Sequence, residues 1–115
     1  MAKVLEIHTF DLKPGTGEKT FEEFVMREVL PIYRRVPGQD AQLLKGDRGE
    51  RAGKYLMLVE VESVERRNQI NPPEGQDAYP EEIQALMGDV DAIWDRFFSF
   101  VEPETSYTSY AMLSD

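Results

Sequence analysis

The first segment of the chain, KVLEIHTFDL over Lys3 to Leu12, alternates with a period of two. It sets Leu5, Ile7 and Thr9 on one side and Val4, Glu6, His8 and Phe10 on the other, the pattern of a strand. KPGTG then supplies Pro14, Gly15 and Gly17 for a turn, after which the period changes. Phe21, Phe24, Val25, Val29, Ile32, Tyr33 and Val36 recur at helical spacing, with Glu22, Glu23, Arg27, Arg34 and Arg35 mostly opposite, so a helix is expected from about Gly17 to about Val36. Pro31 lies inside that run. It lacks a backbone donor and crowds the preceding turn, which predicts a kink or break. Pro37 and Gly38 end the helix, and DAQLLKGD, RGERAG and KYLMLVEVES then read as strand, turn and strand, antiparallel because the connection is short.

From Val64 to Tyr79 the prolines, glycine and asparagine of VERRNQINPPEGQDAY predict a loop longer than the usual connection. Pro80, Glu81 and Glu82 suit a helix start, with proline at the first helical position and carboxylates beside the positive end of the dipole. Ile83, Leu86, Met87, Val90, Trp94, Phe97 and Val101 make the apolar stripe of that second helix, which Gly88 can bend. After Pro103, TSYTSYAML reads as a fourth strand with Tyr107 and Tyr110 on opposite faces. The order strand, helix, strand, strand, helix, strand is the split βαβ, or ferredoxin-like, arrangement: an α+β domain with one four-stranded antiparallel sheet and both helices on one face. The other face is expected to carry Val4, Phe10, Leu56, Leu58, Tyr110 and Met112, too apolar to leave in water, and a second copy of the chain is the economical cover.

Composition narrows the classes of function. The 115 residues make one domain of ordinary size, 41% hydrophobic and 30% charged, with no apolar run long enough to span a membrane. MAKVLEIHTF lacks the apolar core and small-residue cleavage site of a secretory signal, so a cytoplasmic protein is expected. The absence of cysteine removes thiol catalysis, disulfides, iron–sulfur clusters and thiolate zinc sites together. A formal net charge of −9 repels a phosphate backbone and argues against nucleic-acid and anionic-membrane partners. GTGEKT lacks the spacing of a phosphate-binding loop, and no nucleophile elbow or serine–histidine–acid order occurs.

HTFDLKPG after the first strand, VPG after the first helix, and YLMLVEVES ending in Glu62 and Ser63 resemble the dimeric α+β barrel superfamily, in particular its antibiotic-biosynthesis-monooxygenase-like and NIPSNAP-like domains. The resemblance spans nearly the whole chain. It implies that two four-stranded sheets pair into an eight-stranded barrel in a homodimer, with a small-molecule cavity between each sheet and its helices. The oxygenases and haem-degrading members use an asparagine, a tryptophan late in the third strand and a histidine in the second helix. Here the strand position holds Val61, the helix has no histidine, and the single tryptophan is Trp94 in that helix; these departures argue against haem degradation and weaken the case for quinone-forming oxygenation.

Candidate chemistry is sparse. His8, the single histidine, is the natural proton shuttle at neutral pH, or else a histidine donating into a sheet face or an interface. Glu6 and His8 share a face, and strand three beside strand one would bring Glu60 or Glu62 near them, as a metal site or as a half-buried ionic network. With one nitrogen ligand available, no metal and no cofactor is adopted. Trp94, Phe97, Phe98 and Phe100 form a cluster that lines a cavity for a planar ligand or simply fills the core. Tyr33, Tyr55 and Tyr107 offer phenols to a ligand oxygen. Arg66 and Arg67, at the start of the long loop read as a lid, would meet a carboxylate or enolate oxygen. The expectation is a homodimer binding a small aromatic or apolar molecule, a cofactor-independent monooxygenase or isomerase with His8 transferring the proton. The rival is a non-catalytic dimeric binding or assembly module whose barrel is merely packed.

Overall fold

In the computed structural model, which describes residues 2–72 and 79–114, the strands are β1 (Val4–Phe10), β2 (Gln39–Lys45), β3 (Tyr55–Val61) and β4 (Ser106–Ala111). They pair antiparallel in the order β2-β3-β1-β4, the split βαβ order expected from the sequence. The helices are α1 (Glu18–Phe24), α2 (Leu30–Arg34), α3 (Val64–Ile70), α4 (Glu81–Met87) and α5 (Asp91–Phe100).

Register decides which side of each strand is inside. Val4 stands opposite Val61, Glu6 opposite Val59, His8 opposite Met57 and Phe10 opposite Tyr55. All four pairs share one face, because side chains alternate strictly along a strand. Val4, Phe10, Tyr55, Met57, Val59 and Val61 are buried in the core beneath the helices. The expectation that Val4 and Phe10 lie on the open face is therefore wrong. That face instead carries Leu5 and Ile7 beside Leu56 and Leu58, none of them fully buried, with Tyr110 and Leu44 exposed. Both faces of β1 and β3 are apolar, so alternation separates the two sets without saying which one the helices cover.

Helix one is interrupted, as Pro31 predicts, though the interruption precedes the proline. Val25–Val29 widens into a π-helical turn between α1 and α2, and Pro31 is the second residue of α2. The wider turn accommodates a residue that cannot donate its hydrogen bond and whose ring crowds the carbonyl four residues back. Helix two is broken outright at Gly88, which adopts φ +84°, a left-handed conformation that favours glycine. Arg35 caps the end of α4 by donating from Nη1 to the Met87 carbonyl at 2.6 Å. The expected loop from Val64 onward begins instead as α3, started by Ser63, whose hydroxyl accepts from the Arg66 amide at 3.0 Å. Residues 73–78 of that stretch lie outside the described residues.

Phe21 holds α1 to the sheet and to α5. It is fully buried, with ring centroids 5.2 Å from Tyr55, 5.7 Å from Phe10, 5.8 Å from Phe100 and 6.0 Å from Phe97. Phe21→Ala should cost about 3–5 kcal/mol of stability, since it removes the ring that four others pack against and leaves a cavity. Denaturant unfolding of the variant and the parent measures this as a drop in midpoint at unchanged slope.

Candidate functional site

The inward face of β1 places Glu6 and His8 two residues apart, roughly 7 Å along the strand. On the β4 side, His8 stands opposite Tyr107 and Glu6 opposite Ser109, so all four side chains share the helix face. The His8 and Tyr107 rings have centroids 4.9 Å apart, and the Tyr107 hydroxyl reaches diagonally along the sheet to donate to Glu6 Oε2 at 2.5 Å. Ser109 Oγ accepts from Arg67 Nη1 at 2.7 Å, which fixes the guanidinium at the Glu6 end.

Helices close the other side. Tyr33 comes down from α2, with its own carbonyl held by Gln39 Nε2 at 3.0 Å, and packs edge-on to Trp94 of α5 at 6.0 Å. Trp94 in turn meets Phe97 edge-on at 6.4 Å. A cavity of about 350 Å³ lies between these groups, lined by His8, Tyr33, Met57, Trp94, Phe97 and Tyr107, with Phe98 at its border. Beside it, with His8, Tyr33, Tyr79 and Tyr107 as shared walls, lies a smaller, more enclosed polar inner end of about 50 Å³ bounded by Glu6, Arg67, Gln39 and Asn71. The size is that of a small-molecule pocket, and the layout is an aromatic body with convergent polar groups at one end. Thr105 and Ser106, at the entry to β4, also border the larger space.

Electrostatics follow from burial. Loss of solvation lowers the His8 pKa below the 6.5 of a free imidazole, partly offset by the negative charge of Glu6. At neutral pH the ring is uncharged and able to accept a proton. The Tyr107 phenol is pushed up to about 12, first by desolvation and then by the hydrogen bond it donates to Glu6. Burial also raises Tyr33, with Tyr79 and Glu6 adding to the shift, and raises Tyr79, with Glu6 again contributing. The phenols around His8 are protonated donors at neutral pH.

His8, Tyr33 and Tyr107 thus line both spaces, Trp94 and Phe97 the larger and Arg67 the smaller, and Tyr55 and Arg66 line neither. Tyr55 lies opposite Phe10 at the far end of β1, where its hydroxyl bonds to Glu22. Arg66 follows one position before Arg67 on α3, about 100° round the helix, and turns away to the Pro37 carbonyl at 3.0 Å and Gln69 Oε1 at 3.0 Å. The loop reading of this segment is corrected in the same way, since both arginines are carried by a helix. The metal cluster of Glu6, His8 and Glu60 does not assemble: Glu60 pairs with Leu5 and so faces the opposite side of the sheet from Glu6. Among the described residues no group of three or more histidine, aspartate or glutamate side chains could hold an ion. Sequence reasoning missed Gln39, Asn71 and Tyr79, which no periodicity singles out. It placed Glu6 on the face of His8 but weighed it only in a metal site or an ionic network, not as a group that meets a ligand.

A folded-state pKa below 6.5 means the folded chain binds fewer protons at His8 than the unfolded chain in that window. The His8 contribution to stability is therefore complete above pH 6.5 and is lost as pH falls from 6.5 through the folded midpoint. The difference in unfolding free energy between the parent and His8→Gln, measured across pH 4 to 8, should show that slope below about pH 6.5 and none above it. In NMR titrations of the imidazole, Glu6→Gln should move the midpoint lower still, because it removes the charge that offsets desolvation.

No family model matches the chain, and no curated protein matches it in sequence. Solved structures do match in shape. One is a putative antibiotic biosynthesis monooxygenase from Bordetella bronchiseptica, with a TM-score of 0.64 at 15% identity over 99% of this chain and 100% of that one. Another is SnoaB, a cofactor-independent oxygenase from Streptomyces nogalater, with a TM-score of 0.59 at 12% identity over 98% of this chain and 95% of that one. A third is an uncharacterized NIPSNAP-like domain protein from Burkholderia xenovorans, with a TM-score of 0.59 at 18% identity over 97% of this chain and 86% of that one. At such identities the likeness speaks for the backbone and leaves the chemistry to the site itself. The chain has the ferredoxin-like α+β fold of the monooxygenase-like and NIPSNAP-like domains that its first strand, its VPG turn and its third strand resemble.

Proposed function

We propose that this single-domain chain is a cytoplasmic homodimer that binds a small aromatic or apolar molecule between its sheet and its helices and moves a proton on it through His8. The observation that carries the reading is the cavity of about 350 Å³ with an uncharged imidazole where its aromatic body meets its polar end. Trp94, Phe97 and Tyr33 stack on the ligand body, and Tyr107 and Arg67 meet its oxygens. His8 takes a proton from an acidic C–H or O–H of the bound molecule, and the resulting anion is spread over the ligand's ring system. In an oxygenase, a ligand methylene then passes four electrons to dioxygen, which leaves one oxygen atom on the carbon as a carbonyl and the other in water. In an isomerase, the proton returns from His8 to a different carbon and no oxidant is consumed. An open cavity supports this reading over a non-catalytic assembly module, for which a filled interior is the natural state. Neither nucleic acid nor a membrane is a partner in this reading: the net charge is −9, and no helix of the described residues is long and apolar enough to cross a membrane.

The homodimer rests on the open face of the sheet, where Leu5, Ile7, Leu56 and Leu58 form a contiguous patch extended by the exposed Leu44 and Tyr110. A second copy covering this patch would bury more than roughly 1,200 Å² in total. Light scattering should give twice the mass of the chain, and Leu58→Glu, which places a charge in the middle of the patch, should give a monomer. A parent protein that stays monomeric at micromolar concentration overturns the dimer.

Proton transfer is tested without knowledge of the product. Small aromatic ketones and phenols that quench Trp94 fluorescence are incubated with the protein in D2O, and ligand C–H signals are followed by NMR. Exchange that the parent accelerates at least about a hundredfold over His8→Ala, with binding retained in the variant, is the expected outcome. Equal exchange in both proteins removes the role of His8.

A further inference from the structure

We propose that Glu6, held by Tyr107, is the specificity-determining residue of the cavity and selects ligands whose polar end is an uncharged hydroxyl. This rests on the reading of the cavity as a ligand site. Glu6 is 8% exposed, and among the described residues the Tyr107 hydroxyl, at 2.5 Å from Oε2, is its one hydrogen-bond donor. It forms no ion pair among those residues. A carboxylate has about four acceptor sites on two oxygens, so one phenol leaves most of that capacity unused in a place where water is scarce. The unused capacity belongs to a side chain that lines the inner end of the cavity.

Arg67 lines the same inner end and is likewise unpaired with any carboxylate among the described residues; its Nη1 goes to Ser109 and its Nε to Asn68. One negative and one positive side chain therefore border a space of about 50 Å³ without meeting each other as an ion pair. An anionic ligand end, such as a carboxylate, would satisfy Arg67 but be repelled by Glu6 at short range in a poorly solvated pocket. An ammonium would satisfy Glu6 and be repelled by Arg67. A neutral group that donates to one and accepts from the other escapes both penalties, and a hydroxyl is the smallest group that does so. Tyr107 contributes by fixing one carboxylate oxygen, so that the other is presented in a set direction. Its ring, packed on His8, sets the hydroxyl end of the ligand beside the imidazole.

The test compares four probes of one shape by calorimetric titration of the full chain: a naphthol, its methyl ether, naphthoate and naphthylmethylammonium. The naphthol should bind at least about tenfold more tightly than each of the others, the contrast expected when a hydrogen bond to a buried charge is lost. Glu6→Gln, with folding checked by circular dichroism, should bring the naphthol and the ether within about threefold of each other while the ether's affinity holds. If the ether binds as tightly as the naphthol in the parent protein, or naphthoate or the ammonium binds more tightly, the role of Glu6 is wrong while the cavity reading stands. A Glu6→Gln variant that keeps the tenfold preference is equally fatal to it. Failure of all four probes to bind overturns the cavity reading and this inference with it. The parent comparison holds even where the variant does not fold.

Discussion

The register of β1 against its two neighbours is the constraint on which the rest depends. β1 is paired along both edges, so its alternation fixes the inside and outside of β3 and β4 at once. A slip of one residue would turn Glu6 and His8 to the open face and bring Leu5 and Ile7 under the helices. What prevents the slip is the match of shapes beneath the helices: Val4 with Val61 at one end, Phe10 with Tyr55 and Phe21 at the other. The polar pair at the middle of β1 is thus held in place by apolar contacts at its two ends.

The same strand therefore serves two purposes that conflict. A carboxylate and an imidazole on a core-facing surface cost desolvation, and an all-apolar strand would be more stable. Glu6 is accommodated because β4 brings Tyr107 within hydrogen-bonding reach, and His8 because it can remain uncharged. Conversely, the cavity is the space left between His8 and Met57 on the sheet and Trp94 and Phe97 on α5. Packing is complete around Phe21 and incomplete around His8, on the same face of the same sheet.

Much of this was legible in the sequence. The four strands, the break near Pro31, the bend at Gly88 and the neighbouring of strands one and three all follow from periodicity, turn chemistry and element order. The choice of face was not legible, because VLEIHTF and YLMLVEV are apolar on both sides and only the pairing register separates Val4 and Phe10 from Leu5 and Ile7. α3 was hidden because Ser63 caps it without a glutamate at the third helical position, and the proline pair that follows reads as loop. Of the three tyrosines that offer phenols, Tyr55 stands on β3 opposite Phe10 and Tyr107 on β4 opposite His8. The Tyr55 hydroxyl therefore bonds to Glu22 of α1, and that of Tyr107 to Glu6 at the border of the pocket. Arg66 and Arg67 were indistinguishable until a helix separated their directions.

The Tyr107 to Glu6 hydrogen bond joins residues 101 positions apart. Nearly the whole chain is the loop that this contact closes, so none of its ordering entropy can be met locally. No fragment lacking either β1 or β4 can contain the pocket, and no partly folded form that has released β4 retains it. Occupancy of the cavity is in this sense a measure of global order: a molecule bound there stabilises the folded chain as a whole through mass action, and loses its site all at once when the edge strand detaches.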